Sequence, residues 1–292
     1  MSGKIRVDLL PRHRYQCRMS RLRANHFCIT LTALAWIILP LTARSAQGEV
    51  VRPDRPAEYM IYQYPDSIMV LKFDVPEAEF SARTIGPENA LIKSSALPAR
   101  RIGPVFQYIE AVGRPRQLTI EVTPQRAIDR STIGLEILQF GVADRNVANL
   151  VRAYQLFSTG AEAELSNAAS TWGMKAYSMR NAAGVFTHLG MQEMSLWSEY
   201  FAAHLVLHRL DDPLMALELV EVILMESVQA GFEKVELAAR ILESDALLRL
   251  ARGPGEHGNF AYVENAHQVL AEVARLAERQ GLDAEHGRAL YH

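Results

Sequence analysis

Residues 190–232 read GMQEMSLWSEYFAAHLVLHRLDDPLMALELVEVILMESVQAGF, and this stretch decides the fold. Trp197, Tyr200, Phe201, His204, Leu205 and His208 recur at intervals of three and four, so they line one side of an α-helix. Asp212 ahead of Pro213 starts a second helix: the carboxylate accepts from an open N–H of the first turn, and proline loses nothing at the first helical position. Gly190 and Gly231 supply the left-handed residue that ends a helix. The spacing predicts helices over 192–208 and 213–229.

The same punctuation recurs outward. Gly190-Met191-Gln192-Glu193, Gly231-Phe232-Glu233-Lys234 and Gly281-Leu282-Asp283-Ala284 each set glycine, a large apolar residue and polar residues before a new helix, at intervals of 41 and 50. The second interval predicts helices over 232–251 and 260–279, its extra length being the insertion Gly253-Pro254-Gly255-Glu256-His257-Gly258. Upstream, Val147, Leu150, Val151, Tyr154, Phe157 and then Trp172, Ala176, Met179, Ala183, Phe186 form two more helical stripes. Helix pairs at this period predict an α-α solenoid over 145–292. Asp283 to Tyr291 opens another pair, expected to be either a modest cap or the cut edge of a longer protein.

Between 57 and 140 the period is two. Met69, Leu71, Phe73 and Val75 share one side while Lys72 and Asp74 face away, and Leu118, Ile120, Val122 alternate with Thr119 and Glu121. Leu91-Ile92, Val105 to Ile109 and Leu135 to Phe140 read as further strands. Pro65-Asp66-Ser67, Gly86-Pro87-Glu88-Asn89, Gly103-Pro104 and Gly113-Arg114-Pro115 are turn chemistry at short spacing. No helical pattern interrupts them, which excludes a parallel α/β sheet and predicts a small antiparallel β-sandwich. The expected class is α+β, multidomain.

Residues 1–46 read as a secretory signal peptide. Basic residues run to Arg23, Phe27 to Leu41 is apolar apart from two threonines, and small residues follow at Thr42, Ala43, Ser45 and Ala46, with cleavage expected after Ala43 or Ser45. The apolar run is shorter than the roughly twenty residues of a spanning helix. The expected destination is periplasmic or secreted, with a membrane anchor as the alternative if the segment is kept. Met19 offers a second start with a shorter basic region.

This segment changes the arithmetic of the chain. The 292 residues carry a net charge of −2, but eight of the 31 lysines and arginines and one acid fall in 1–46, so acids outnumber bases by nine beyond it. Such a chain has no general field to hold nucleic acid. Cys17 and Cys28, the two cysteines, lie in the same segment. A processed chain therefore has no disulfide, thiolate metal site or cysteine nucleophile.

Val70-Leu71-Lys72-Phe73-Asp74-Val75-Pro76-Glu77-Ala78-Glu79-Phe80, Arg116 to Val122 and Leu189 to Met194 carry a resemblance. The helical half resembles tetratricopeptide repeats, with longer helices and without their Trp-Leu-Gly-Tyr signature. Over residues 57–292 the chain resembles the N-terminal region of exported bacterial proteins that join a small β-domain, such repeats and a C-terminal CHAT domain, a caspase-like peptidase module. The resemblance implies that peptidase histidine and cysteine belong to a C-terminal domain, so no catalytic residue carries over to this chain.

The candidate chemistry is sparse. His204 and His208 share a helix side, but Leu205, Val206 and Leu207 leave no glutamate for a zincin base, and Glu199 is poorly aligned as a third ligand, so no metal site is expected. His188 at a helix end reads as a dipole partner. Ser195 and Ser198 lack a Gly-x-Ser-x-Gly context, and Gly253 to Gly258 lacks a phosphate-loop ending. No cofactor is expected. The leading expectation is a non-enzymatic scaffold that takes a protein or peptide partner on its helical surface, with Trp197, Tyr200 and His204 as the contact face. The glutamates 218, 221, 226, 233, 236 and 243 read as its solvated side, with an acidic concave surface that binds a basic peptide as the functional alternative. Two alternatives are the regulatory front of a caspase-like peptidase and a cell-envelope glycan binder using Tyr59, Tyr62 and Tyr64, with Phe106 and Tyr108.

Overall fold

The computed structural model describes residues 44–51, 57–74, 79–96, 103–126, 131–141, 147–161, 171–252 and 260–281. Among the described residues, two four-stranded antiparallel sheets come first. One has the order β1 (Arg44–Val51), β8 (Ser131–Gly141), β3 (Ser67–Asp74), β6 (Val105–Ile109). The other runs β2 (Ala57–Gln63), β7 (Arg116–Arg126), β4 (Glu79–Ile85), β5 (Leu91–Ala96). Six helices follow: α1 (Ala148–Ala161), α2 (Trp172–His188), α3 (Gln192–Arg209), α4 (Pro213–Ala230), α5 (Glu233–Ala251) and α6 (Phe260–Gln280). The chain is α+β.

Alternation decides which residues the sheets share. Ala57, Tyr59 and Ile61, Phe80 and Ala82, and Leu118, Ile120 and Val122 from one sheet form a single core with Met69, Leu71, Phe73, Val105, Ile109 and Leu135 of the other. Polar groups join the two sheets as well. Gln107 on β6 pairs with the Thr84 hydroxyl at 2.5 Å and donates to the Ala82 carbonyl at 2.9 Å, both on β4. Gln63, fully buried, donates to the carbonyls of Ser67 and Glu110 at 2.7 and 2.8 Å and accepts from Arg116 Nε at 2.8 Å. Each buried amide group is thereby satisfied, which offsets its desolvation.

Much of the second side of β3, β6 and the end of β8 is covered as well. Ile68 and Val70, Phe106 and Tyr108, and Leu138 and Phe140 pack into the core of the helices. Period-two reading predicts a half-buried β3, whereas Ile68 to Leu71 are all buried. Helix α1 is the reason. Its Phe157 meets Phe106 edge-on at 5.0 Å, its Tyr154 stacks on Phe140 at 6.4 Å, and on its other flank these residues reach Phe201 at 5.3 Å and Phe186 at 5.1 Å.

Helix punctuation holds where it was expected. Asp212 Oδ1 accepts from the Met215 amide at 3.0 Å, and Gly190, Gly231 and Gly281 have φ of 73°, 73° and 68°. The helices pack in chain order, and α3 also touches α1 and α5, so the odd-numbered helices form a row. Strands β1, β2 and β4 have no counterpart among the strands named from the sequence pattern. β1 lies outside the expected 57–140 and overlaps the expected signal segment at Arg44 to Ala46, where Arg44 stands opposite Ile137 and Ser45 opposite Glu136. The rest of that segment, the 253–258 insertion and Asp283 to Tyr291 lie outside the described residues.

Because Phe157 belongs to the layer common to sheets and helices, Phe157→Ala is expected to cost about 3–5 kcal/mol. Far-ultraviolet dichroism should then record sheet and helix signals melting together at a lower temperature. Two separated transitions would contradict a shared core.

Candidate functional site

The residues expected to face a partner are in the interior. Trp197, Tyr200 and His204 are 2%, 1% and 8% exposed. The stripe is the packing side of α3, because α1, α2, α4 and α5 surround that helix. Trp197 stacks on Phe201 at 5.9 Å, meets Tyr200 edge-on at 5.6 Å and donates from Nε1 to Glu193 at 3.3 Å. Its outer edge lies under the turn before β6. A Cβ on Gly103, where φ is 121°, would fall 2.5 Å from the indole, so this turn admits no side chain. Trp197 therefore seals the sheets to the helices and is unavailable as a docking anchor.

Further along α3 the seam with α5 becomes polar. The His204 and His208 rings are 4.3 Å apart. His208 Nδ1 lies 3.1 Å from Arg249 Nη2, and its Nε2 is 3.8 Å from Asp245 Oδ2. Arg249 Nη1 donates to the Leu207 carbonyl at 2.8 Å and to Asp211 Oδ1 at 2.6 Å. This network fastens α5 to the end of α3. Among the described residues, no three histidine, cysteine or acidic side chains are grouped to hold a metal ion.

The other candidates are dispersed. Ser195 Oγ donates to the Ala183 carbonyl at 3.0 Å and shares a hydrogen bond with Thr187, and Ser198 Oγ donates to the Met194 carbonyl at 2.8 Å. Both hydroxyls are thus tied to helix backbone, while His188 sits exposed in the last turn of α2. The aromatic platform is divided: Tyr59 is in the inter-sheet core, Phe106 and Tyr108 face the helices, and Tyr62 and Tyr64 are exposed, meeting edge-on at 5.4 Å. Between α5 and α6 a cleft of about 520 Å³ contains Glu236, Arg240, Glu272 and Arg275. Arg240 is paired there with Glu236 at 3.1 Å and with Glu272 at 2.5 Å.

What the stripes did not reveal is the outward side of the even-numbered helices. Met174 and Tyr177 on α2, Leu214, Val222, Met225 and Val228 on α4, and Phe260 on α6 are all about half or more exposed. On α4 the signal was present: Ala216, Val220, Ile223 and Ser227 already supply a complete inward stripe, so the remaining apolar residues must point elsewhere. Two carboxyls lie beside this helix. Burial pushes Glu199 up from the usual range, opposed by Arg180 at 3.3 Å and reinforced by Glu226. Burial likewise raises Glu243, opposed by Arg240 and reinforced by Glu272 and Glu221. Among the described residues no helix is long and apolar enough to cross a membrane. No protein-family model and no curated protein matches the chain.

Two outcomes follow from this placement. Trp197→Ala should lose about 3–5 kcal/mol in denaturant unfolding, as expected for a filled interior site; an unchanged midpoint would return the indole to the surface. The folded chain holds the Glu243 proton more tightly than the unfolded chain, so this group costs stability once pH rises through the ordinary glutamate value. Glu243→Gln should accordingly melt higher than the parent chain at pH 7, with the difference vanishing below about pH 4, where both side chains are neutral. A thermal melt series across pH measures it.

Proposed function

We propose that this chain is an exported, non-enzymatic protein-interaction scaffold, in which the two sheets act as a β-sandwich and the helices from residue 145 onward as a tetratricopeptide-like solenoid. The observation that carries this reading is the division between the two rows of helices. The odd-numbered row is consumed by packing, with α3 almost wholly buried, whereas α2, α4 and α6 hold large apolar side chains out to solvent. Exposed apolar groups on a rigid, well-packed support are what a protein interface needs, since the support has already lost its conformational freedom. The serines are tied to helix backbone and His208, Asp245 and Arg249 to one another, which supports a binding rather than a hydrolytic role. Export is proposed on the basic and apolar character of residues 1–46.

A photoreactive amino acid placed singly at Tyr177, Val222 and Phe260, in cells that make the full chain, tests the reading. At least one position should give a discrete crosslinked protein that is absent when the label is moved to buried Ala238. Labelling without discrete products at all three positions would remove the scaffold assignment.

A further inference from the structure

The outward side of α4 is where the structure is least self-sufficient. Four residues, Ala216, Val220, Ile223 and Ser227, turn inward. On the opposite side Leu214, Val222, Met225 and Val228 are 59%, 48%, 64% and 54% exposed. A helix apolar on both sides is ordinarily covered on both. Leu214 to Met225 spans eleven residues, about 16 Å or three turns, which is enough to seat a helix of similar length. Met225 adds an adaptable thioether of the kind that accommodates different apolar partners.

Charge then selects the occupant. Glu218 and Glu221 are exposed among these apolar residues, Glu226 is half-buried beside them, and α4 contains no lysine, arginine or histidine. The field of this strip reaches the neighbouring helices, since Glu226 helps hold the Glu199 proton and Glu221 that of Glu243. A second copy laid on the same side would bring Glu218 and Glu221 against their own kind, and an anionic lipid surface would be repelled. A helix whose contact side combines apolar residues with lysine or arginine satisfies both requirements at once.

We propose that the outward side of α4 is the docking surface for a basic amphipathic helix of a partner protein, received by Leu214, Val222 and Met225 with Glu218 and Glu221 interspersed among them. This deepens the scaffold reading and rests on it. It is distinct from that reading because it fixes one helix and one partner chemistry.

The test is fluorescence anisotropy with the full chain and a labelled synthetic Leu/Lys amphipathic helix of about five turns, compared with its Leu/Glu counterpart. The Leu/Lys helix should bind and the Leu/Glu helix should not. The pair Val222→Ser with Met225→Ser should weaken binding about tenfold or more, and Glu218→Lys with Glu221→Lys should transfer preference to the Leu/Glu helix. Glu264→Gln with Glu278→Gln on α6 should leave binding unchanged. The inference is overturned by equal binding of both helices, by affinity indifferent to the α4 pairs, or by an equal loss with the α6 pair. It is equally overturned if light scattering finds a dimer that Met225→Ser dissolves, or if the chain floats with phosphatidylglycerol vesicles in a Met225-dependent way. Crosslinks at Tyr177 or Phe260 without Leu/Lys binding would retire the α4 site and leave the scaffold standing.

Discussion

Strands β3 and β6, at one edge of the β1-β8-β3-β6 sheet, are buried on both sides, and much of the rest of the molecule answers to that requirement. These strands carry buried residues at successive rather than alternate positions, as Ile68-Met69-Val70-Leu71 on β3 illustrates. One set enters the inter-sheet core with Phe80, Ile120 and Val122, and the other needs a second cover. Helix α1 supplies it, and the cover is aromatic: Phe106, Phe157, Phe201 and Trp197 run as a continuous chain of ring contacts from the sheet into α3. Each such side chain contributes about 1.5–3 kcal/mol by leaving water. The order of packing follows from there, since α3 held against α1 is then flanked by α2, α4 and α5.

Burial this extensive limits what the interior can do. A glycine at 103 is required where the turn before β6 crosses the Trp197 indole, because any Cβ would collide with the ring. Gln63 and Gln107 are tolerated inside because their amides are fully engaged with backbone and neighbouring side chains. His208, Asp245 and Arg249 are spent in the same manner on fixing α5 to α3. Groups so committed have no reason to be the interaction surface. The surface proposed for that role consists of residues the packing does not use, above all the second side of α4.

Much of the helical half was legible in the residues alone. Glycine at 190, 231 and 281 and aspartate before proline at 212–213 are local signals, and local chemistry suffices to place helix ends. Strand 118–122 was legible for the same reason, through period two, and 105–109 as a short run between turns. β4, by contrast, pairs Phe80 and Ala82 with polar and charged neighbours in a stretch that has too few apolar positions to declare itself. β1, Arg-Ser-Ala-Gln-Gly-Glu-Val-Val, is a strand only through its partner β8, and no period within it announces that pairing.

The candidate site divides along the same line. The sequence by itself determined that Trp197, Tyr200 and His204 share a side of one helix, because a 3.6-residue period is a property of the chain. Only the tertiary structure decided that this side faces inward, since an amphipathic stripe looks the same whether it meets a neighbouring helix or a partner protein. The decision lies in how many neighbours a helix has. α3 is enclosed by four helices and loses its stripe to the core, whereas α4, in the other row, keeps an apolar side in water. Number of neighbours is a property of non-local packing, and no spacing along the chain encodes it.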